Sequence, residues 1–248
     1  MHPTLARCEF NKPFAQLEIY SGSANDFITS RGFPEPAVVW LDYECGITPD
    51  LREDLIAVGS SLRPESFFFL TGSAEIPKRI KGIRRPLEKL CALQADFAPF
   101  AGDLLEGDLD RTNFPATAAR LAEKALRFAF SGRSDGVFLP MVRMTYRDTS
   151  WMMTVGGYFG SSLQKSRLML ALKKNCGFLR PLRENEVYNI AQFNVTDAER
   201  RLLDRAALAP KRRRSERLAL RRLGFPDELV EQYAELVRFI PRYFESVL

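Results

Sequence analysis

Residues 36–42, PAVVWLD, carry the strongest fold signal in the chain, because an unbroken apolar run closes there on an acid. Such a run predicts a central parallel strand that is buried on both faces of a sheet. Next along the chain, a threonine cap, a proline and leucines at helical spacing predict a helix over 48–62. Residues 66–71, SFFFLT, then predict a second buried strand. Strand, helix and strand in this order indicate an α/β fold.

The flanking segments extend this pattern in both directions. Residues 14–20 alternate apolar and polar side chains, which predicts a strand that enters a turn. Two apolar runs around residues 147–150 predict an antiparallel hairpin, and Pro140 places that hairpin at a sheet edge. Helices are predicted over 25–30, 85–93 and 113–130, the last with Leu121, Ala125, Phe128 and Ala129 on its inner face.

The last third of the chain has a helical pattern. Thr196 and Glu199 form a capping box sequence, and Leu202 and Leu203 then face inward. A final helix is predicted to open at Pro226. The chain is therefore expected to divide into an α/β core over 1–160 and a helical region over 161–248.

Composition excludes several classes of protein. The chain has 248 residues and a formal net charge of +5, and its single histidine is His2, so no Ser/His/Asp triad can be assembled. Four cysteines lie far apart in sequence, which excludes a zinc knuckle and favours a reducing, cytoplasmic compartment. No apolar run approaches the roughly 18 residues that span a bilayer, so no membrane contact is expected.

Asp42 is the leading functional candidate. It stands where a buried strand opens into a loop, which is the end at which α/β sheets bind ligands. The alternative is that Asp42 caps the next helix or pairs with an arginine. Glu44 follows two residues later, and two neighbouring carboxylates can tune each other's pKa or coordinate a hard cation. These two residues are the predicted catalytic pair.

A second candidate is the turn formed by Gly22, Ser23, Ala24, Asn25 and Asp26. A helix N-terminus offers free amides to an adenine or ribose, whereas the structural alternative is that Ser23 or Asn25 only caps the helix. No glycine-rich phosphate or dinucleotide motif occurs in the chain.

A basic stretch over 211–222 gives a third candidate. It is either a solvated helix face or a phosphate-contacting surface. The residues proposed to meet nucleic acid are Lys211, Arg212, Arg213 and Arg214.

The order of these elements resembles the second half of a class I S-adenosylmethionine-dependent methyltransferase. More narrowly, FNKPF at 10–14, VWLDY at 39–43 and RFIPRYF at 238–244 are similar to a largely uncharacterised bacterial family of O-methyltransferases. The resemblance implies an incomplete Rossmann-like methyltransferase sheet with an antiparallel edge hairpin and a helical C-terminal extension. It implies S-adenosylmethionine as the cofactor, without a metal. It also assigns Gly22, Asn25 and Asp26 to the adenine side, and Asp42 to the acid after the fourth strand.

The chain departs from that family at its start. A glycine-rich loop and an acid that hold the cofactor's methionine and ribose portions would precede residue 1. The chain is therefore expected to be either a truncated reading of a longer protein or a relative that has lost the cofactor half. Two functions remain open: methyl transfer, or a non-catalytic module that binds a partner protein or nucleic acid through 211–222. In both cases a second copy or a partner is expected to cover the exposed sheet.

Overall fold

A computed structural model describes residues 3–12, 16–147, 149–175, 186–190, 195–208 and 213–237. Within these ranges a five-stranded sheet has the order β1-β2-β4-β3-β5. β1 and β2 are parallel, β4 is antiparallel to both β2 and β3, and β5 runs parallel to β3. The strands are β1 (Val38–Asp42), β2 (Ser66–Ser73), β3 (Val137–Arg147), β4 (Trp151–Gly160) and β5 (Tyr188–Ile190).

Helices precede the sheet, connect its strands and fill the C-terminal region. They are α1 (Pro3–Phe10), α2 (Ala24–Arg31), α3 (Pro49–Ser61), α4 (Lys78–Lys81), α5 (Pro86–Asp96), α6 (Phe114–Ser131), α7 (Ser162–Asn175), α8 (Asp197–Leu208), α9 (Arg213–Arg222) and α10 (Asp227–Leu236). A short 3-10 helix, Glu106–Leu109, precedes α6. The predicted α/β fold with an antiparallel hairpin and a helical C-terminal region is confirmed.

α3 and α6 cover one face of the sheet. Thr48 caps α3 by accepting a hydrogen bond from the backbone of Leu51 at 3.2 Å, and Pro49 opens the helix as expected. α6 packs against α3, β3 and β4. Phe128 is 52% exposed, so its predicted place on the inner face of α6 is wrong. The sheet core between these elements includes Leu51, Leu55, Val58, Phe68, Leu70, Leu121, Leu126, Val155 and Phe159.

A buried ion pair joins α6 to the sheet. Glu123 on α6 and Arg143 on β3 are 2% and 5% exposed, and Arg143 Nε donates to Glu123 Oε2 at 2.7 Å. The second oxygen of Glu123 accepts from Arg127 Nε at 2.8 Å. Both carboxylate oxygens are thereby bonded, which a buried charge requires.

Two strand predictions are wrong. The described part of the segment 14–20, residues 16–20, forms no strand. β1 is an edge strand of the described sheet and is not buried on both faces, since Val38 is 72% exposed and Trp40 is 65% exposed. An apolar run indicates that a strand meets a core, but it does not show whether another strand pairs with its second edge.

The hairpin of β3 and β4 forms as predicted, but it lies between β2 and β5. Pro140 stands at a bulge between residues 140 and 142, and β5 pairs with β3 only beyond it, at residues 144–146. The proline therefore interrupts no hydrogen bond to β5, which is why a strand interior tolerates it.

The C-terminal helices have their own hydrophobic cluster, the helical core. The predicted capping box at the start of α8 is confirmed, because Thr196 and Glu199 exchange backbone hydrogen bonds at 2.8 and 3.3 Å. Leu203, Ala206, Leu220, Val230 and Tyr233 are buried between α8, α9 and α10. None of the helices in the described ranges combines the length and apolar character that crossing a bilayer requires.

Candidate functional site

Asp42 ends β1 with an exposed side chain. By strand alternation it lies on the same face as Trp40, whose Nε1 donates to Thr71 Oγ1 at 3.1 Å. Within the described residues, the Asp42 carboxylate has neither an ion pair nor a hydrogen bond. Thr48 caps the helix that follows, so the capping alternative for Asp42 does not hold. The carboxylate is accessible to a ligand.

Glu44 lies in the loop after β1 and lines a cleft, which we call the basic cleft, of about 710 Å³ at the carboxyl ends of β1 and β2. Asp42 is not among the residues that line this cleft. The two carboxylates of the predicted catalytic pair therefore share a strand end but do not share this opening. The cleft is lined by Glu44, Cys45, Gly46, Thr48, Ser73, Glu75, Ile76, Pro77, Lys78, Lys81 and Arg111.

Between these carboxylates, Tyr43 turns toward α3 and joins a small hydrogen-bond network. Its hydroxyl donates to Asp54 Oδ2, and Asn25 Nδ2 donates to Asp54 Oδ1 at 2.9 Å. Burial and the neighbouring Asp54 carboxylate raise the pKa of Tyr43 well above its usual range. Tyr43 therefore remains a protonated donor, and the network fixes the end of β1 against α2 and α3.

The turn before α2 is a reciprocal cap. Ser23 Oγ accepts from the Asp26 backbone at 3.0 Å and donates to Asp26 Oδ2 at 2.7 Å. Asn25 is bonded to Asp54, so two polar side chains of the predicted adenine contact already have protein partners. Ser23 therefore caps α2, as the structural alternative predicts. Adenine contact at Gly22, Asn25 and Asp26 stays a prediction.

Gly22 has a different role, because it lines an apolar cavity of about 310 Å³ beside β1, the aromatic pocket. A Cβ at Gly22 would lie 2.6 Å from Cε1 of Tyr20, so any larger residue here requires the Tyr20 ring to shift. The guanidinium of Arg31 lies 5.5 Å from the Tyr20 ring centroid and 5.8 Å from that of Phe27. The pocket is lined by Tyr20, Gly22, Ser23, Ala24, Phe27, Ile28, Phe33, Val38, Val39, Trp40 and Leu41.

Sequence reasoning missed the aromatic walls of this pocket and the cations of the basic cleft. Tyr20, Phe27 and Phe33 were within reach of the Gly22 turn in sequence, and a cluster of aromatics around a glycine was the available signal. The lysines of the cleft lie in a basic segment over 78–89, whose positive charges are less concentrated than those over 211–222.

That C-terminal stretch is only partly described. Lys211 and Arg212 lie outside the described residues, and so does the motif at 238–244. Arg213 and Arg214 begin α9. Further along this helix, Arg221 pairs with Asp227, and Arg217 pairs with Glu231 at 3.3 Å. Nucleic-acid binding by this stretch stays a prediction.

Across the described ranges, no group of three or more His, Cys, Asp and Glu side chains could hold a metal ion. A family model with the description "Putative O-methyltransferase" matches residues 2–248. No curated protein matches the chain.

Proposed function

The chain belongs to this family of O-methyltransferases, and we propose that it transfers a methyl group from S-adenosylmethionine to an oxygen of its acceptor. The family match along nearly the whole chain is the observation that carries the proposal. The sheet adds support, since β1, α3 and β2 form a parallel unit and the antiparallel hairpin follows.

The aromatic pocket fits the adenosyl part of S-adenosylmethionine. Its volume lies at the lower end of the usual range for small-molecule pockets, about 300–1,000 Å³. Tyr20, Phe27 and Phe33 provide ring surfaces for a planar base, and Gly22 leaves space for Tyr20. When bound, the cofactor supplies a methyl group activated by a positively charged sulfur.

Asp42 is proposed as the group that takes the proton from the acceptor hydroxyl. A carboxylate with no partner among the described residues can accept this proton as the methyl group passes from the sulfonium sulfur to the hydroxyl oxygen. Glu44, at the rim of the basic cleft, is proposed to orient the acceptor. This division of roles follows from the positions of the two carboxylates, since Glu44 lines the basic cleft and Asp42 does not.

Calorimetric titration with S-adenosylmethionine and S-adenosylhomocysteine tests the proposal most directly. We expect both to bind the wild-type chain, and we expect Gly22→Ala to weaken binding about tenfold, or about 1.4 kcal/mol, because the new methyl group displaces Tyr20. Gly102→Ala is the control, since a Cβ there meets nothing within 4 Å. A folded wild-type chain that binds neither compound would overturn the proposal.

The proton-transfer role is tested by Asp42→Asn. We expect turnover to fall by about 10²–10⁴-fold with unchanged S-adenosylmethionine affinity, because the amide cannot accept the hydroxyl proton. Asp50→Asn, an exposed acid in the first turn of α3, is the matched control. Full activity in Asp42→Asn would remove that residue from the mechanism.

The non-catalytic alternative is a module that binds a partner protein or nucleic acid through 211–222. It predicts salt-dependent nucleic-acid binding by a chain that does not bind S-adenosylmethionine. Exposed apolar residues at the edge of the described sheet favour association, so a second copy or partner that covers Val38 and Trp40 fits this alternative. In the enzyme the same two side chains line the pocket proposed for S-adenosylmethionine.

A further inference from the structure

Four cations converge on the basic cleft and an adjoining cavity of about 320 Å³. Lys78 and Lys81 belong to α4, Lys89 belongs to α5, and Arg111 precedes α6. Lys81 and Arg111 line both openings. Three separate segments of the chain therefore bring positive charge to one concave surface.

These cations differ from their neighbours in one respect. Arg79 pairs with Asp96, and Arg85 pairs with Glu88 at 3.0 Å, and neither arginine lines the cleft. Lys78, Lys81, Lys89 and Arg111 form no ion pair with any described carboxylate. Arg84 of the same segment is also unpaired among the described residues but lines neither opening, so what distinguishes Lys78, Lys81, Lys89 and Arg111 is their convergence on one concave surface.

Carboxylates also line these openings, but they come from other segments. Glu44 follows β1, Glu75 follows β2, and Asp110 precedes Arg111. Glu75 Oε1 accepts a hydrogen bond from the Trp151 backbone at 3.2 Å. Glu44 and Glu75 thus lie at the strand ends, whereas the lysines lie on the helical side. A ligand that places an anionic group toward the lysines and a hydroxyl toward Glu44 and Glu75 would complement both sides of the cleft.

We propose that the basic cleft binds a phosphate group of the methyl acceptor, an inference that rests on the proposed methyl transfer. A phosphate dianion offers three oxygens, so it can meet several convergent donors, which a single carboxylate cannot do equally well. Each opening is lined by three cations and two carboxylates, and this excess of positive charge in a concave site attracts such an anion. Phe114 and Trp151 line the adjoining cavity and provide apolar surface for the body of the acceptor.

Calorimetric titration of the full chain with phenyl phosphate, in the absence of S-adenosylmethionine, tests this inference. We expect phenyl phosphate to bind more tightly than benzoate. We expect Lys81→Gln and Arg111→Gln each to weaken its binding at least about tenfold, since both side chains line both openings. Arg84→Gln, an exposed cation of the same segment outside the cleft, should change it by less than about twofold.

The outcomes separate this inference from the proposed function. No binding of phenyl phosphate at millimolar concentration, equal binding of benzoate, or equal losses in Lys81→Gln and Arg84→Gln would overturn the phosphate site. If a single-stranded oligonucleotide binds more tightly than phenyl phosphate and its binding depends on Lys81 in the same way, the inference that the cleft binds a small phosphorylated acceptor would also be overturned. S-adenosylmethionine affinity should be unchanged in Lys81→Gln, so a failure of cofactor binding counts only against the proposed methyl transfer. Circular dichroism of each variant verifies that it is folded.

Discussion

Asp54 is a single carboxylate on which the geometry beside the candidate site depends. It accepts hydrogen bonds from Tyr43, which follows β1, and from Asn25 on α2. The pKa of Tyr43 is raised in the folded chain, so the folded state keeps the phenol proton at a pH where an unfolded chain has begun to lose it. The contribution of the Tyr43 phenol to the free energy of unfolding is therefore fully present below about pH 10 and declines as the pH rises further.

Tyr43→Phe should lower the free energy of unfolding at pH 7 by about 1–2 kcal/mol, because a hydrogen bond to a charged group is lost. It should also flatten the decline of stability above about pH 10, because the titrating phenol is gone. Urea unfolding at pH 7 and pH 10.5 measures both effects. Tyr233 preserves part of the alkaline dependence, since burial and Asp204 raise its pKa to about 12. An unchanged alkaline slope would show that Tyr43 is not a source of it.

At the scale of elements, α3 lies very close to α6 around Gly59. A Cβ at this position would lie 2.4 Å from the Cβ of Ala129 and 2.7 Å from its carbonyl oxygen. Two small residues therefore set the distance between the helices that cover the sheet. Glu123 and Arg143 hold the other side of α6 against β3, so α6 has little freedom to move away.

Gly59→Ala should lower the free energy of unfolding by about 1–3 kcal/mol, because overpacking at this contact outweighs the better helix propensity of alanine. Gly132→Ala, at the end of α6, is the matched control, since nothing lies within 4 Å of a Cβ there. We expect that control to be neutral or slightly stabilising. Equal urea midpoints for the two variants would contradict the close contact.

At the scale of the whole molecule, the sheet core and the helical core are separate hydrophobic clusters. A described link between the sheet and the helical region is the hydrogen bond from Gln232 Nε2 on α10 to the carbonyl of Asn189 on β5, at 2.7 Å. Separate hydrophobic clusters often open as separate cooperative units. The division predicted at residue 160 leaves β5 with the helical region, although β5 pairs with β3.

Leu203→Ala should therefore destabilise the helical core locally. Leu203 is fully buried, and its truncation leaves a cavity that costs about 2–5 kcal/mol. We expect faster amide hydrogen exchange in α8, α9 and α10, with exchange in α6 unchanged. Leu55→Ala, at a fully buried position of the sheet core, should instead speed amide hydrogen exchange in α6 and leave it unchanged in α8, α9 and α10. Uniformly faster exchange across the chain in Leu203→Ala would indicate one cooperative unit.

Much of the local structure could be predicted, whereas the candidate site could be predicted only in part. Asp42 and Gly22 could be singled out because a strand end and a glycine turn are visible in sequence. The aromatic pocket could be predicted only in part, because Tyr20 lies near Gly22 in sequence whereas Trp40 belongs to a segment that meets them only after folding. The basic cleft is similar, because Lys81 and Arg111 are thirty residues apart in sequence and share no local pattern.

The sequence by itself determined the elements whose causes are local. Thr48 and Pro49 begin α3, and Thr196 and Glu199 begin α8, because caps act between residues a turn apart. Tertiary structure alone decided that β1 lies at the edge of the described sheet, and that the Asp54 carboxylate accepts hydrogen bonds from Tyr43 and Asn25. Strand neighbours and long-range polar pairs depend on which segments pack together. The hydrophobic periodicity of one segment does not indicate which other segments it will contact.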